Sequence, residues 1–234
     1  MKNILLFIFC FQSLVLFGQR KIQGTIIYET SYTKSFIEDM KKKKQDANSN
    51  PFVIKSFLKA TPTEFLLTFN QEECLYQKIE KVEEEDAIGF NTLEKIGGGD
   101  RIFYTNPKEK ENFYQTEDDG DLYLVESKAS EWEITKESKK IGDYTCYKAI
   151  FKTDNEKRKG KIIAWFTPQI PLKYGPKGIG GLPGLILQYQ EMFVVFNAIK
   201  INFEKKEVEI QKPTKGKKMK SKEFSALMLK NSPF

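Results

Sequence analysis

Apolar and polar positions alternate with a period of two along most of this chain, the pattern of strands with one buried face. KIQGTIIYETSY, residues 21–32, is rich in β-branched and aromatic residues and predicts a first strand. In EFLLTFNQEECLYQKI, Phe65, Leu67 and Phe69 interleave with Leu66 and Thr68, and Leu75 and Ile79 follow. Two antiparallel strands joined near Asn70 and Gln71 fit that stretch. The short runs RIFYT, ENFYQT, DLYLVE, EWEITK, YTCYKAIFKT and KIIAWFT come next, punctuated by Asn106-Pro107, Asp119-Gly120 and Ile141-Gly142-Asp143. Asp119-Gly120 is the dipeptide that a two-residue type I′ hairpin demands. LILQYQEMFVVFNAIKINF supplies two further segments, and EVEIQKP is expected to end the sheet.

Helical spacing is confined to short stretches. PFVIKSFLKA can start at Pro51 and cannot pass Pro62, which predicts a helix near residues 51–60. SKEFSALMLKN places Ser221 at an N-cap and Phe224, Leu227 and Met228 on one face, a short amphipathic helix over 221–230. KSFIEDMKKKKQDANSNP reads as an exposed irregular segment or a short helix, and EKVEEEDAIGFNTLEKIGGGD, residues 80–100, as a solvated loop. The expected fold is mainly β: one antiparallel domain over residues 19–211, curved into an open or partial barrel. The half-barrels of periplasmic lipoprotein carriers are its architectural analogue. Residues 212–234 form a basic segment and the terminal helix.

The first eighteen residues break this pattern. Lys2, an apolar run from Ile4 to Phe17 interrupted only by Gln12 and Ser13, and Gly18 make a secretory signal peptide with cleavage expected before Gln19. The run is short for a spanning helix. Cys10 lacks the small residues that precede a lipidated cysteine, so the expected product is exported, periplasmic or extracellular, and not a lipoprotein. In an oxidising compartment the remaining pair, Cys74 and Cys146, points to a disulfide, with two buried thiols as the alternative.

Chemistry is sparse. The chain has no histidine, so no imidazole-activated nucleophile and no His-ligated zinc can form. EDDGD, residues 117–121, has carboxylates for a cation but lacks the spacing of a calcium loop and serves as a turn; Glu83-Glu84-Glu85-Asp86 reads as solvated. No metal, cofactor or catalytic group is therefore assigned. The net charge of +6 is modest and comes with no aromatic-basic recognition motif, which sets nucleic acid aside as a partner. Positive charge gathers at Lys212, Lys215, Lys217, Lys218, Lys220 and Lys222, a segment suited to an anionic membrane surface or an acidic partner, or to solubility alone. The 19 Phe, 10 Tyr and 2 Trp are enough to line a concave ligand face as well as a core, with Trp132 and Trp165 the two to watch.

Residues 178–187, GIGGLPGLIL, mix loop-forming glycines with core-forming leucines. Pro168, Pro171, Pro176 and Pro183 exclude regular sheet upstream, while Leu182, Leu185, Ile186 and Leu187 tie the segment to the core. A half-buried loop entering a strand near Gly184 is expected, and its backbone polar groups must find partners in the protein or in a ligand. The string Gly181-Leu182-Pro183-Gly184-Leu185-Ile186, in the context AWFTPQIPLKYGPKGIGGLPGLIL, resembles the GLPGLI family of exported bacterial proteins. The resemblance brings no activity to carry over to these residues. On the rule that functional residues favour loops on rigid scaffolds, Trp165, Pro171, Tyr174, Gly181, Leu182, Pro183 and Gly184 form the candidate binding set. The expected function is a binding or carrier protein for an apolar or amphipathic ligand in the cell envelope. The alternative is an interaction module that docks on an envelope protein through the Gly/Pro loop or the basic end.

Overall fold

In a computed structural model, which describes residues 22–46, 49–80 and 91–231, the alternating runs become strands of one open sheet. In chain order these are β1 (Gly24–Tyr32), β2 (Glu64–Phe69), β3 (Cys74–Lys78), β4 (Ile102–Asn106), β5 (Glu111–Asp118), β6 (Asp121–Glu126), β7 (Trp132–Ile141), β8 (Tyr144–Phe151), β9 (Ile162–Thr167), β10 (Leu185–Glu191), β11 (Val194–Phe203) and β12 (Lys217–Lys220). Their spatial order is β12-β6-β5-β4-β3-β2-β1-β11-β10-β9-β8-β7. All pairings are antiparallel apart from β12 on β6. The mainly β, open architecture expected from the sequence is the one found. Among the described residues four short helices accompany the sheet: α1 (Lys34–Lys43), α2 (Pro51–Lys59), α3 (Thr92–Gly97) and α4 (Ser221–Asn231). The signal peptide and the Glu83–Asp86 run lie outside the described residues.

Register makes the core continuous. Ile26 faces Leu67, Leu67 faces Tyr76, Tyr76 faces Phe103, Phe103 faces Tyr114 and Tyr114 faces Val125, a row of large side chains across six strands. Aromatic pairing reinforces it: Phe65 stacks on Tyr76 at 5.2 Å and Tyr76 meets Phe103 edge-on at 5.8 Å. On the other side of β1 the same face carries Phe196, Tyr189, Ala164 and Ala149, all buried.

Three expectations need correction. Residues 80–100 are not wholly loop, because Asn91 caps α3 by accepting from the Leu93 amide. The Tyr76 hydroxyl fixes the other end of α3, donating to the Gly97 carbonyl at 3.0 Å. EVEIQKP is not a strand: both edges of β11 are already taken by β1 and β10, so the chain crosses the sheet and joins the free edge of β6 as β12. The expected disulfide is absent, with Cys74 and Cys146 both free and buried. Cys74 on β3 and Cys146 on β8 are six strand steps apart in the sheet order, and bridging needs Cα atoms within about 7 Å.

Candidate functional site

The segment between β9 and β10 is built from residues that cannot make sheet. Its prolines withhold donors, yet Ile170, Leu172, Tyr174 and Leu182 are buried, so it must fold onto the core by other bonds. The Leu185 amide donates to the Ile170 carbonyl at 3.0 Å, Ile186 to Tyr174 at 3.0 Å and Gly181 to Lys173 at 3.2 Å, which makes the segment a closed loop seated at the start of β10. Gly184 permits this closure: a Cβ there would stand 2.2 Å from the Thr167 carbonyl oxygen. Gly180 is in the same position against Lys173, at 2.3 Å.

The loop then spans the aromatic face. Asn112 on β5 donates from Nδ2 to the Gly178 carbonyl at 3.2 Å, and Trp132 on β7 donates from Nε1 to the Gly180 carbonyl at 2.9 Å. The single turn Pro176–Gly178 packs on β3, β4 and β5. Tyr28 on β1 donates to the Ile186 carbonyl at 2.5 Å. Lys177 pairs with Glu191 at 3.0 Å and lies over the Phe196 ring. Asn112 on β5, Trp132 on β7 and Glu191 on β10 thus hold the loop against the face that a carrier would leave open, while Tyr28 on β1 fixes Ile186 just after it.

The seven residues singled out by sequence do not converge. Tyr174, Leu182 and Gly184 are inside the core, whereas Pro171, Gly181 and Pro183 are exposed. Trp165 is half-buried on the opposite face from Ala164, beside Gln188, with the Lys139 ammonium 4.2 Å from its ring centroid. Trp132 belongs to the loop's anchorage. The anchoring residues Tyr28, Asn112, Lys177 and Glu191 were not legible as such, because nothing in their local sequence distinguishes them.

Electrostatics on the buried face favour neutral forms. Burial pushes the Tyr28, Tyr76, Tyr174 and Tyr189 phenols up from their ordinary 10.0. It pushes the Cys74 thiol up as well, and Cys146 to about 11, against the opposing pull of Lys139. Neither thiol is activated as a nucleophile.

At the surface, Asp119 (φ 51°) and Gly120 (φ 81°) make the β5–β6 turn that EDDGD was expected to form. The basic segment is partly committed: Lys212 pairs with Glu111 at 2.5 Å, and Lys217, Lys218 and Lys220 lie on the edge strand β12. Lysines on an edge discourage pairing with another chain. A cleft of about 850 Å³ at one end of β11 is floored by Ile22, Ile170 and Phe203, with Gln23, Glu204, Lys205 and Glu207 among its polar lining.

A family model described as "Protein of unknown function (Porph_ging)" matches residues 132–161 and 152–188, from β7 through the loop into β10. Comparison with curated proteins finds no match. Among solved structures the chain is similar to PNGF-II in a C2 crystal form, with TM-score 0.54 and 16% identity over 89% of this chain and 33% of that one. The P21 form of PNGF-II gives TM-score 0.53 and 16% identity over 90% and 33%. The likeness is one of fold, and the chain spans about a third of the length of those structures.

Proposed function

We propose that this protein is an interaction module of the cell envelope, exported by its N-terminal signal peptide and acting by binding, not by carrying an apolar ligand or by catalysis. The observation that carries the reading is the occupancy of the aromatic face by the loop from Thr167 to Leu185, tied down by Asn112, Trp132 and the Lys177–Glu191 pair, with Tyr28 holding Ile186 just after it. A carrier needs that face as a cavity, and displacing the loop would orphan several buried backbone groups at once. A fold that recurs over a third of a longer chain is consistent with use as a module. The GLPGLI string lies within the second matched stretch, residues 152–188, which supports grouping the chain with the exported GLPGLI-type proteins.

Native mass spectrometry of the protein released from its own envelope without detergent tests this. The expected spectrum is that of the protein processed before Gln19 with no stoichiometric lipid, together with crosslinks to a defined envelope protein. A lipid bound one to one would overturn the reading in favour of a carrier.

A further inference from the structure

Lysines are concentrated where the chain crosses from β11 to β12. A groove of about 470 Å³ there has Phe113 and Leu124 as its floor and Lys110, Lys212 and Lys218 on its walls. At Glu126 and Ser127 it runs into a second hollow of about 270 Å³, which adds Lys128, Lys220 and Lys222. The two share those residues and form one channel along β6 and β12, ending at the first turn of α4.

Of the acidic groups along the channel, Glu111 takes both bonds from Lys212 and Glu223 accepts from the Lys220 amide at 3.2 Å, while Glu126 lies opposite Lys220 in the β6–β12 register. Lys110, Lys128, Lys218, Lys220 and Lys222 make no ion pair among the described residues. Five lysines without an ion pair outnumber Glu126 and Glu223 along the channel, and with the apolar floor of its wider end they make a positive field that an anionic partner with an apolar group of its own complements.

We propose that this channel docks an extended acidic peptide segment, its carboxylates meeting the lysines and an apolar side chain resting on Phe113 and Leu124. The inference rests on the reading of the protein as an interaction module and names the partner's chemistry. Shape argues for a peptide over a membrane: a bilayer plane reaches the lysine rim and leaves the floor empty. β12 spans four residues, and Ser221 and Lys222 add the start of α4, a length of about five residues of extended chain.

The test uses a fluorescein-labelled peptide of about six residues alternating glutamate and leucine, which spans the channel at about 3.3 Å per residue. Binding to the full mature protein is followed by anisotropy at low salt. Lys218→Glu with Lys222→Glu should weaken it about tenfold or more. A peptide with serine for leucine should also bind more weakly, and one with glutamine for glutamate should not bind. Melting curves identify variants that have lost the fold, and for these Lys128→Ala with Lys222→Ala replaces the charge reversal.

Equal weakening by Lys41→Glu with Lys42→Glu on α1 would overturn the proposal, since charge anywhere would then suffice. Indifference to leucine, or binding to phosphatidylglycerol vesicles while the peptide fails, would overturn it too, as would competition by inorganic phosphate at the same ionic strength. A copurifying lipid with peptide binding intact would sink the module reading and leave the channel standing. Loss of peptide binding in a lipid-free protein would sink the channel alone.

Discussion

The indole nitrogen of Trp132, on the edge strand β7, donates to the carbonyl oxygen of Gly180 at 2.9 Å, joining the last strand of the sheet to the middle of the proline-rich loop. On the far side of that loop Asn112 bonds Gly178. The loop therefore fastens two parts of an open sheet that share no strand pairing.

Trp132→Phe should cost about 1–3 kcal/mol, because it keeps most of the ring packing and removes the donor to Gly180. Urea unfolding measures it. A midpoint equal to the parent would mean that the carbonyl finds another partner and the bond is dispensable.

Gly184→Val should destabilise by about 2–4 kcal/mol although it adds apolar area, since the new Cβ meets the Thr167 carbonyl at 2.2 Å. Gly120→Asn is the control. A Cβ at Gly120 would have no atom within 4 Å, and the residue sits in a turn that asparagine tolerates, so little change in melting temperature is expected.

Stability should fall in alkali. The buried phenols and thiols have folded pKa values raised above their unfolded 10.0 and 9.0, so the folded state keeps protons that the unfolded chain releases. Their contribution is complete below pH 9 and is lost as pH rises through the folded values, Cys146 near 11. On the acid side Asp100, held low by Lys78, favours the fold above 3.8 and loses that effect as pH falls through its folded value. Melting temperature against pH reads both limbs; a flat profile between pH 8 and 11 would contradict the alkaline one.

Neither cysteine should react with iodoacetamide in the folded protein, and both should react in denaturant without prior reduction. Intact mass reports the count. Two unreacted thiols in denatured, unreduced protein would restore the disulfide.

Legibility followed the range of the interactions. The Asp119-Gly120 hairpin and the Pro51 helix start were readable because two or three adjacent residues determine them. α3 was missed because TLEKIG is too short to carry a periodic signal and is held by Tyr76 from another strand. β12 was missed because KKMK has almost no apolar alternation and pairs in parallel with a strand far upstream. The prolines and glycines of residues 168–184 were readable as irregular and half-buried. Which face they cover depends on contacts such as Asn112 with Gly178, which no local pattern encodes. Cysteine parity suggested a bridge that the sheet order does not permit.

Amide hydrogen exchange across residues 170–190 bears most directly on the loop as the filling of the aromatic face. Protection at Gly181, Leu185 and Ile186 comparable to that of β1 is expected, since their amides bond to Lys173, Ile170 and Tyr174 inside the protein. Exchange as fast as in the exposed connection between β8 and β9 would contradict it and return the face to a ligand.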